Sequence, residues 1–328
     1  MTQHEVIVRE RRQLTPVIRE FVLVSADGDA LPPYEPGAHI EVDVEGNPGT
    51  PAARAYSLIG GTATTDDPEN TYRIAVEREA SGSGGSRFLH DRIALGSRLA
   101  VSSPRSGFAL DLNPASRLLI AGGIGIAPIY AMVRHLVRRD LPFALHYLGH
   151  DPQALAYREE IEHLAGSRAA FHYDDRDPEN LLDLAALVAA MPYPAHVYVC
   201  GPRGLNDTVV AAAQDNGLSN MQIHAEYFAP APVPVRDDTG FEVELRRSGV
   251  SVYVPPDLSI LETLMAAGQP MRFYCGRGEC GFCPLPVIEA DGPIEHRDHF
   301  LSADEKENDE RLCICVSRIK GTRLVLDA

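Results

Sequence analysis

The sequence predicts a multidomain protein that joins an antiparallel β domain, an α/β domain with a mostly parallel sheet, and an α+β domain with a cysteine-rich loop. Three changes of pattern along the 328 residues support this prediction. Alternating runs such as HEVIVRE and HIEVDVE fill the first third of the chain. Buried apolar runs then alternate with helical stretches, and a proline-rich stretch precedes the last segment. Each pattern is typical of a different layer architecture.

The amino-terminal pattern predicts a small barrel or sandwich of antiparallel strands over residues 1–107. Its alternating runs are separated by the turn-forming stretches PPYEPG, GNPGTP and TTDDPEN. Strands with a period of two, punctuated by proline and glycine, are typical of hairpin-connected sheets.

We expect an α/β domain over residues 108–228, a linker over 229–240 and a third domain over 241–328. SRLLIAGGIGIAPIYAMVRHLVRR has the pattern of a buried strand, a glycine turn and an amphipathic helix. AEYFAPAPVPVRDDTG is rich in proline, as interdomain linkers often are. In the last segment FEVELRRSGVSVYVP predicts a hairpin and SILETLMAAG a helix.

Composition argues against several classes of function. The formal net charge of −16 does not fit a protein that binds nucleic acid through a basic face. No stretch approaches the roughly 20 apolar residues of a spanning helix, and the amino terminus MTQHEVIVRERRQL has no apolar core. We therefore expect a cytoplasmic protein with no signal peptide and no membrane or nucleic-acid partner.

Three cysteines lie close together in the segment YCGRGECGFC, residues 274–283. Their spacing, C-x4-C-x2-C, is that of plant-type 2Fe-2S ferredoxins, in which a distant fourth thiolate completes the site. The intervening glycines allow the loop to curl and to direct backbone N–H groups at sulfur. We predict a 2Fe-2S cluster held by Cys275, Cys280 and Cys283.

The fourth ligand is one of two neighbouring cysteines, Cys313 and Cys315, in the segment LCICVSR. Loop length does not choose between them, because two residues change the closure entropy of so long a loop negligibly. If LCICV is a strand, both side chains share a face but lie roughly 7 Å apart, so only one reaches the cluster. Structural zinc is the competing interpretation, but the chain has no second C-x2-C pair in that region.

Arg54 and Tyr56, in the segment RAYSL, are candidate flavin-binding residues. On a strand they point to the same face, and a flavin needs a cation for its phosphate and an aromatic ring beside its isoalloxazine. Downstream, SGSGGSRFLHD places Gly85 and Ser86 at a predicted helix start, where glycine N–H groups bind phosphate. Taken alone, the two segments also fit an ordinary strand and a surface loop.

Two glycine turns at the ends of buried strands are candidates for nucleotide binding. AGGIGIAPI, residues 121–129, opens a helix, and VYVCGP, residues 197–202, ends a later strand. Neither is the G-x-G-x-x-G fingerprint. Their glycines still allow close backbone approach to a ligand at the carboxyl ends of parallel strands. The cysteine of the second turn, Cys200, also fits a role in packing.

The motifs RAYSL, GGS, GGIGIAP, CGP, EYF and C-x4-C-x2-C occur in this order over essentially the whole chain. Together they resemble the phthalate dioxygenase reductase family, which includes the vanillate demethylase reductases and belongs to the ferredoxin-NADP reductase superfamily. The closing RIKGTRLVLDA is similar to that family's usual ending. The resemblance implies a flavin-binding β-barrel, a nucleotide-binding α/β domain and a β-grasp ferredoxin domain.

For the flavin, the resemblance implies roles for five residues. Arg54 would hold the phosphate of FMN, and Tyr56 and Ser57 would contact the isoalloxazine. Gly85 and Ser86 would complete the phosphate pocket.

For the other cofactors, the resemblance implies a nucleotide site and a choice of fourth ligand. Gly123, Cys200 and Gly201 would face NADH, and Phe228 matches an aromatic residue beside the flavin. The segment CVSR matches the one that carries the fourth ligand of the cluster. Cys315 is therefore the expected ligand, and its neighbour two residues earlier is expected to be a buried neutral thiol.

These implications describe a reductase that carries electrons from NADH through FMN to a 2Fe-2S cluster and on to a terminal Rieske-type oxygenase or demethylase. NADH gives up two electrons together whereas the cluster accepts one at a time, so a flavin must act between them. No acid, base or nucleophile is required, and we name no catalytic residue. An FAD-dependent ferredoxin or flavin reductase serving other acceptors is the alternative enzyme, and a zinc-bearing interaction protein is the nonenzymatic alternative.

Two further expectations concern selectivity. The strand that ends in HYLGH should lie near the adenosine ribose, and Gly149 and His150 supply no fixed positive charge for a 2′-phosphate, so we expect NADH over NADPH. Between Glu289 and Glu310, nine acidic residues face two basic ones. This segment, which we expect at the surface, is either a docking face for the oxygenase or ordinary solvated charge.

Overall fold

The alternating amino-terminal runs form an antiparallel sheet that is nearly closed into a barrel in the computed structural model. Its strands are β1 (Gln3–Gln13), β2 (Ile18–Ser25), β3 (Ala38–Glu45), β4 (Pro51–Ser57), β5 (Thr71–Glu77), β6 (Arg98–Ser102) and β7 (Arg105–Ser106). The order is β4-β3-β6-β1-β2-β5, with β7 paired to β3. A bridge between Leu58 and Ile74 brings the two outer strands together, which favours a barrel over a sandwich.

The structure describes residues 3–46, 51–60, 71–80, 84–114, 116–175, 177, 181–192, 194–228, 238–273, 276, 278 and 281–328. They divide into two units, the first comprising Met1–Leu218 with Gln222–Ala225 and the second Ser219–Met221 with Glu226–Ala328. Within these ranges, no helix has the length and apolar character required to span a bilayer.

A short helix, α1 (Gly85–Asp91), packs on three strands of the barrel, β3, β4 and β5. The barrel interior is filled by every second residue of its strands, including Phe21, Leu23, Ile40 and Ile74. This alternation is the pattern that the sequence predicted, with the intervening residues facing outward.

The middle of the chain forms a five-stranded sheet flanked by helices. Its strands are β8 (Ser116–Gly122), β9 (Ala144–Gly149), β10 (Ala169–Tyr173), β11 (Ala195–Cys200) and β12 (Ile223–Glu226), and its helices are α2 (Ile126–Arg138), α3 (Arg158–Ala165), α4 (Leu184–Ala189) and α5 (Arg203–Asp215). The order is β10-β9-β8-β11-β12, and the four strands β8, β9, β10 and β11 run parallel to one another. From β8 the chain adds β9 and β10 on one side of the sheet and then β11 and β12 on the other side. The boundary between β8 and β11 is therefore a topological switch point, where such sheets bind ligands.

Helix α2 is buried along most of its length because it lies in a core shared by the barrel and the parallel sheet. Its residues Ile126 and Ile129 belong to the same cluster of buried side chains as Ile18, Ile59 and Ala75 of the barrel. The first unit therefore joins its two sheets through a continuous apolar contact.

The carboxyl-terminal segment forms a five-stranded mixed sheet, a separate two-stranded sheet and two helices. Its elements are β13 (Phe241–Leu245), β14 (Val250–Val254), α6 (Ile260–Ala266), β15 (Pro284–Ala290), β16 (Ile294–Glu295), α7 (Ala303–Glu307), β17 (Arg311–Cys313), β18 (Arg318–Ile319) and β19 (Arg323–Leu326). The order is β14-β13-β19-β15-β17, with β13 and β19 parallel. This arrangement confirms the predicted β-grasp.

The predicted hairpin and helix of this domain are also confirmed. β13 and β14 pair in antiparallel fashion around a turn in which Gly249 has a φ of 68°. The Ser259 side chain accepts from the N–H of Glu262, whose carboxylate bonds back to the Ser259 N–H, so α6 begins with a capping box.

Candidate functional site

Strand β4 presents the predicted flavin-binding residues on one face. Arg54 and Tyr56 are partly buried, whereas the alternating residues Ala53 and Ala55 are exposed. Ser57, the last residue of the strand, is buried. Burial raises the pKa of Tyr56 well above its ordinary value, so its phenol stays protonated and can donate a hydrogen bond at physiological pH.

Arg54 crosses the start of α1. A Cβ atom placed on Gly85 would lie 2.8 Å from Arg54 Cγ and 2.9 Å from Val44 Cγ2. Only glycine therefore fits beneath the arginine without displacing it. The Ser86 hydroxyl accepts from the Glu79 N–H at 3.1 Å, which leaves its own proton free to donate. This cradle of cation, glycine and hydroxyl fits a phosphate group.

The glycine turn after β8 packs backbone to backbone against the turn after β11. Ala121 is paired with Cys200 across the two strands, and a Cβ atom on Gly125 would lie 2.0 Å from the carbonyl oxygen of Cys200. By contrast, Gly123 has a φ of 52° with no described atom within 4 Å of an added Cβ. The open side of this turn fits a ligand that approaches the backbone closely.

Three residues, Cys200, Tyr147 and Gly201, pack behind this turn. Cys200 has no exposed surface, so a direct contact between it and a nucleotide needs the loop to move and stays a prediction. The Tyr147 hydroxyl donates to the Gly123 carbonyl at 3.0 Å and was missed by sequence reasoning. The sequence shows only a tyrosine at an inward position of a buried strand, a pattern shared by many core tyrosines, so it does not single out this residue. Gly201 lies directly against Gly122, with its Cβ position 3.0 Å from the Gly122 nitrogen.

The two residues directly after β9, His150 and Asp151, carry no fixed positive charge. The nearest described arginine along the chain, Arg158, donates to the Tyr173 hydroxyl at the end of β10. His150 Nδ1 lies 2.9 Å from Asp174 Oδ1, just beyond β10. The Asp174 carboxylate at this edge would repel the 2′-phosphate of NADPH but is compatible with the ribose 2′-hydroxyl of NADH. Arg176, two residues further along, lies outside the described residues.

The described cysteines of the third domain converge on one point. Cys283 Sγ and Cys315 Sγ lie 3.1 Å apart, and the Gly278 N–H donates to Cys315 Sγ at 3.2 Å. Gly278 has a φ of 74°, and an added Cβ there would lie 2.6 Å from Val316 Cγ2. Paired sulfurs that receive a glycine N–H fit a cluster loop. Two predicted ligands, Cys275 and Cys280, lie outside the described residues.

The two late cysteines differ in setting, because the strand predicted over LCICV ends early, at Cys313. After this strand, β17, the chain turns because the N–H groups of Val316 and Ser317 both bond to the Cys313 carbonyl, at 3.1 and 2.9 Å. Cys315 lies on this turn. Contacts with Cys313 and then Cys315 lower the pKa of Cys283 to about 3, while contact with Cys283 and burial raise the pKa of Cys313.

Phe228 belongs to the second unit, where its side chain is 45% exposed. The expectation that this ring lies beside the flavin stays a prediction.

The acidic segment lies only partly at the surface. Asp298 is buried and accepts from the Leu301 N–H at 2.8 Å, so the expectation that the whole segment is exposed is wrong for this residue. Asp291 bonds to the backbone of Thr322 and Arg323. Glu305 caps α7. Carboxylates in such roles hold the domain together and contribute less to an external field.

Comparison with known proteins identifies two of the three modules. An oxidoreductase NAD-binding domain model matches residues 119–211, and a 2Fe-2S iron-sulfur cluster binding domain model matches residues 243–320. A vanillate O-demethylase oxidoreductase of Pseudomonas sp. (strain HR199 / DSM 7063) is 36% identical, covering 98% of this chain and 99% of its own. A phthalate dioxygenase reductase of Burkholderia cepacia is 35% identical, with 98% and 96% covered.

The chain belongs to the phthalate dioxygenase reductase family. A solved phthalate dioxygenase reductase, described as a modular structure for electron transfer from pyridine nucleotides to [2Fe-2S], aligns with a TM-score of 0.64 and 34% identity over 99% of this chain and 98% of that one. This reductase is thus an oxidoreductase with a flavin, an NAD-binding domain and a 2Fe-2S domain. The predicted family and fold class are confirmed, and so are a flavin, an NAD-type nucleotide and a 2Fe-2S cluster as cofactors, whereas FMN as the flavin stays a prediction.

Proposed function

We propose that this reductase serves a Rieske-type oxygenase or demethylase, with FMN as its flavin. The observation that carries the proposal is the convergence of Cys283, Cys315 and the Gly278 N–H in a chain whose first unit also holds a phosphate cradle and a nucleotide turn. The names of the relatives, a vanillate O-demethylase oxidoreductase and a phthalate dioxygenase reductase, support an oxygenase partner. We propose that the flavin, nucleotide and cluster domains span residues 1–107, 108–228 and 241–328.

Each module has a separate task in this proposal. Arg54, Gly85 and Ser86 would bind the FMN phosphate, while Tyr56 and Ser57 would contact the ring. Gly123 and Gly201 would bring the nucleotide to the switch point of the parallel sheet. When bound, the flavin accepts an electron pair from NADH and passes single electrons to the cluster. The thiolates of Cys275, Cys280, Cys283 and Cys315 would hold the cluster.

Anaerobic titration of the purified protein with NADH tests the cofactors. We expect flavin and 2Fe-2S absorption to bleach together, with FMN released on denaturation. Release of FAD would favour the alternative of a ferredoxin or flavin reductase. Flavin without iron would contradict the proposed cluster, and a protein without visible absorption would contradict both enzyme functions.

The acceptor distinguishes the two enzymes. We expect the NADH-reduced protein to pass electrons to a Rieske-type oxygenase faster than to a free plant-type ferredoxin or to free FAD. Faster reduction of the small acceptors would favour the alternative.

The phosphate cradle is tested by Arg54→Gln, which keeps a polar side chain but removes the cation. Charge-assisted hydrogen bonds contribute about 1.5–3 kcal/mol, so we expect the dissociation constant for FMN to rise about tenfold or more. Arg98→Gln is the matched control, because Arg98 also lies on a barrel strand but pairs with Glu5 at 3.0 Å on the surface. Equal FMN affinity in the two variants would contradict the role of Arg54.

A further inference from the structure

A buried carboxylate joins the barrel to the parallel-sheet module. The Glu20 side chain, on β2, is 5% exposed. Its Oε2 atom accepts from Arg73 Nη2 of β5 at 2.7 Å and from the Tyr157 hydroxyl at 2.7 Å. Arg12 approaches the other oxygen, with Nε 3.4 Å from Oε1. Burying a carboxylate is unfavourable unless such donors surround it, so the position of Glu20 depends on Tyr157 together with the two arginines.

Tyr157 is held in a backbone conformation that side chains rarely adopt. Its φ is 60° and its ψ 14° at the residue that precedes α3, a left-handed conformation that is unfavourable for residues with a Cβ. The residue is 3% exposed. Its ring stacks on Tyr130 with centroids 4.8 Å apart, and the Arg12 guanidinium lies over the same ring. Contacts from both modules therefore fix this side chain.

The stacking partner connects Tyr157 to the nucleotide turn. Tyr130 lies on α2, which begins at Ile126 immediately after the turn of Gly123–Gly125. A helix moves as a rigid element over so short a distance, so a displacement of Tyr130 is transmitted to the turn. The path runs from the flavin barrel through Glu20 and Tyr157 to the start of α2.

We propose that Tyr157 is a positioning residue that sets the distance between the nicotinamide and the flavin by fixing α2 against the barrel. The inference rests on the flavin and nucleotide sites proposed above. Hydride transfer depends steeply on the separation of donor and acceptor, so a small displacement lowers its rate while the nucleotide still binds. No proton or electron passes through the tyrosine itself.

A matched variant separates this role from a simple contribution to stability. Tyr72 is also buried, and its hydroxyl donates to the Pro32 carbonyl at 2.8 Å within the barrel. Tyr72→Phe and Tyr157→Phe each remove one buried hydroxyl and one hydrogen bond. Only the second bond crosses between the modules.

Stopped-flow reduction of the flavin-loaded protein by NADH gives the limiting rate constant and the dissociation constant separately. For Tyr157→Phe we expect the limiting rate to fall about tenfold, with the dissociation constant for NADH within about twofold of its original value. For Tyr72→Phe we expect both within about twofold. Equal limiting rates in the two variants would overturn the proposal. Absence of flavin reduction in the unaltered protein would instead contradict the proposed function.

Hydrogen exchange of the oxidised protein without nucleotide provides a readout other than activity. We expect faster exchange over residues 122–130 in Tyr157→Phe but not in Tyr72→Phe, and unchanged exchange there would count against the proposal.

Glu20→Gln tests the same path from the barrel side, because an amide accepts weaker hydrogen bonds from Tyr157 and Arg73 than a carboxylate does. If Tyr157 acts through Glu20, the double variant should reduce flavin no more slowly than the slower single variant. Additive losses would contradict this path.

Discussion

At the scale of single residues, two cysteines only two positions apart have different surroundings. Both sulfurs contact Cys283, but Cys315 lies on a turn with its sulfur facing a glycine N–H, whereas Cys313 ends a strand and is fully buried. Backbone N–H groups aimed at sulfur stabilise a thiolate ligand, and burial without such donors favours the neutral thiol. The assignment of Cys315 as the fourth ligand therefore rests on local geometry as well as on resemblance.

Cys315→Ala should abolish the cluster while leaving the flavin site intact. We expect loss of iron, sulfide and 2Fe-2S absorption, with NADH-dependent reduction of ferricyanide retained because that acceptor takes electrons from the flavin. Cys313→Ala is the matched control and should keep its iron, with a modest loss of stability of about 1–2 kcal/mol from the small cavity. Iron loss in Cys313→Ala alone would reverse the assignment.

His224 gives the first unit a dependence of stability on pH. Its ring stacks on Tyr198 with centroids 4.3 Å apart, and its Nε2 lies 3.0 Å from His196 Nδ1. Burial, followed by the His196 charge, lowers the pKa of His224 to about 4. The unfolded chain, with an ordinary histidine pKa near 6.5, takes up a proton as the pH falls from about 6.5 towards 4, and the folded chain does not. Stability is therefore present above pH 6.5 and lost below it, by up to about 1.4 kcal/mol per pH unit.

Urea unfolding followed by circular dichroism between pH 7 and 4.5 measures this loss. His224→Gln should reduce the pH dependence of the unfolding midpoint, and part of it should remain because burial also lowers the pKa of other histidines such as His146 and His172. His163→Gln, at an exposed position on α3, should leave that dependence unchanged. An identical pH profile for both variants would show that another group is responsible.

At the scale of elements, we expect the ends of β9 and β10 to determine whether NADH or NADPH is accepted. His150 and Asp174 occupy this edge 2.9 Å apart, and a carboxylate there repels a 2′-phosphate. We expect kcat/KM for NADH to exceed that for NADPH by about tenfold or more, and equal values would overturn this expectation. His150→Arg should raise kcat/KM for NADPH, whereas Arg158→Gln, on nearby α3, should not.

Sequence patterns predicted the elements better than they predicted the contacts between them. Alternation and turn residues anticipated the barrel strands, the parallel sheet and the hairpin around Gly249, because these signals are local. The early end of the strand predicted over LCICV was missed because apolar alternation over five residues does not reveal that one carbonyl, on Cys313, accepts from two later N–H groups. The bond between Glu20 and Tyr157 has no local signal, since the partners are distant in sequence and meet only when the two modules pack.

At the scale of the whole molecule, only some of the carboxylates behind the net charge of −16 can attract a partner. Many carboxylates of the acidic segment are engaged within their own domain: Asp298 is buried, Glu305 caps a helix and Glu295 bonds to Arg297. Paired charges produce weak external fields because their partners cancel them at a distance. The sequence count of nine acidic residues therefore overstates the docking charge.

Glu289 and Asp309 are exposed but pair with Arg323 and His296. The candidate docking charge in this part of the described chain is then the remaining three exposed carboxylates, Asp304, Glu307 and Glu310. They lie on and after α7, in the domain that holds the cluster. If they steer a basic patch of the oxygenase, raising the salt concentration from 0.1 to 1 M, which shortens the screening length from about 10 to 3 Å, should slow oxygenase reduction about tenfold.

The triple variant Asp304→Asn, Glu307→Gln, Glu310→Gln tests whether these side chains cause the salt dependence. It should reduce the oxygenase slowly at low salt and lose most of the salt dependence, because the attraction that salt screens has been removed. A control with the same change of net charge, Asp27→Asn, Asp29→Asn, Glu45→Gln, alters exposed positions of the barrel and should retain the dependence. Reduction rates that stay flat across salt concentrations in the unaltered protein would rule out electrostatic docking, since only attraction between charges in solvent is screened in this way.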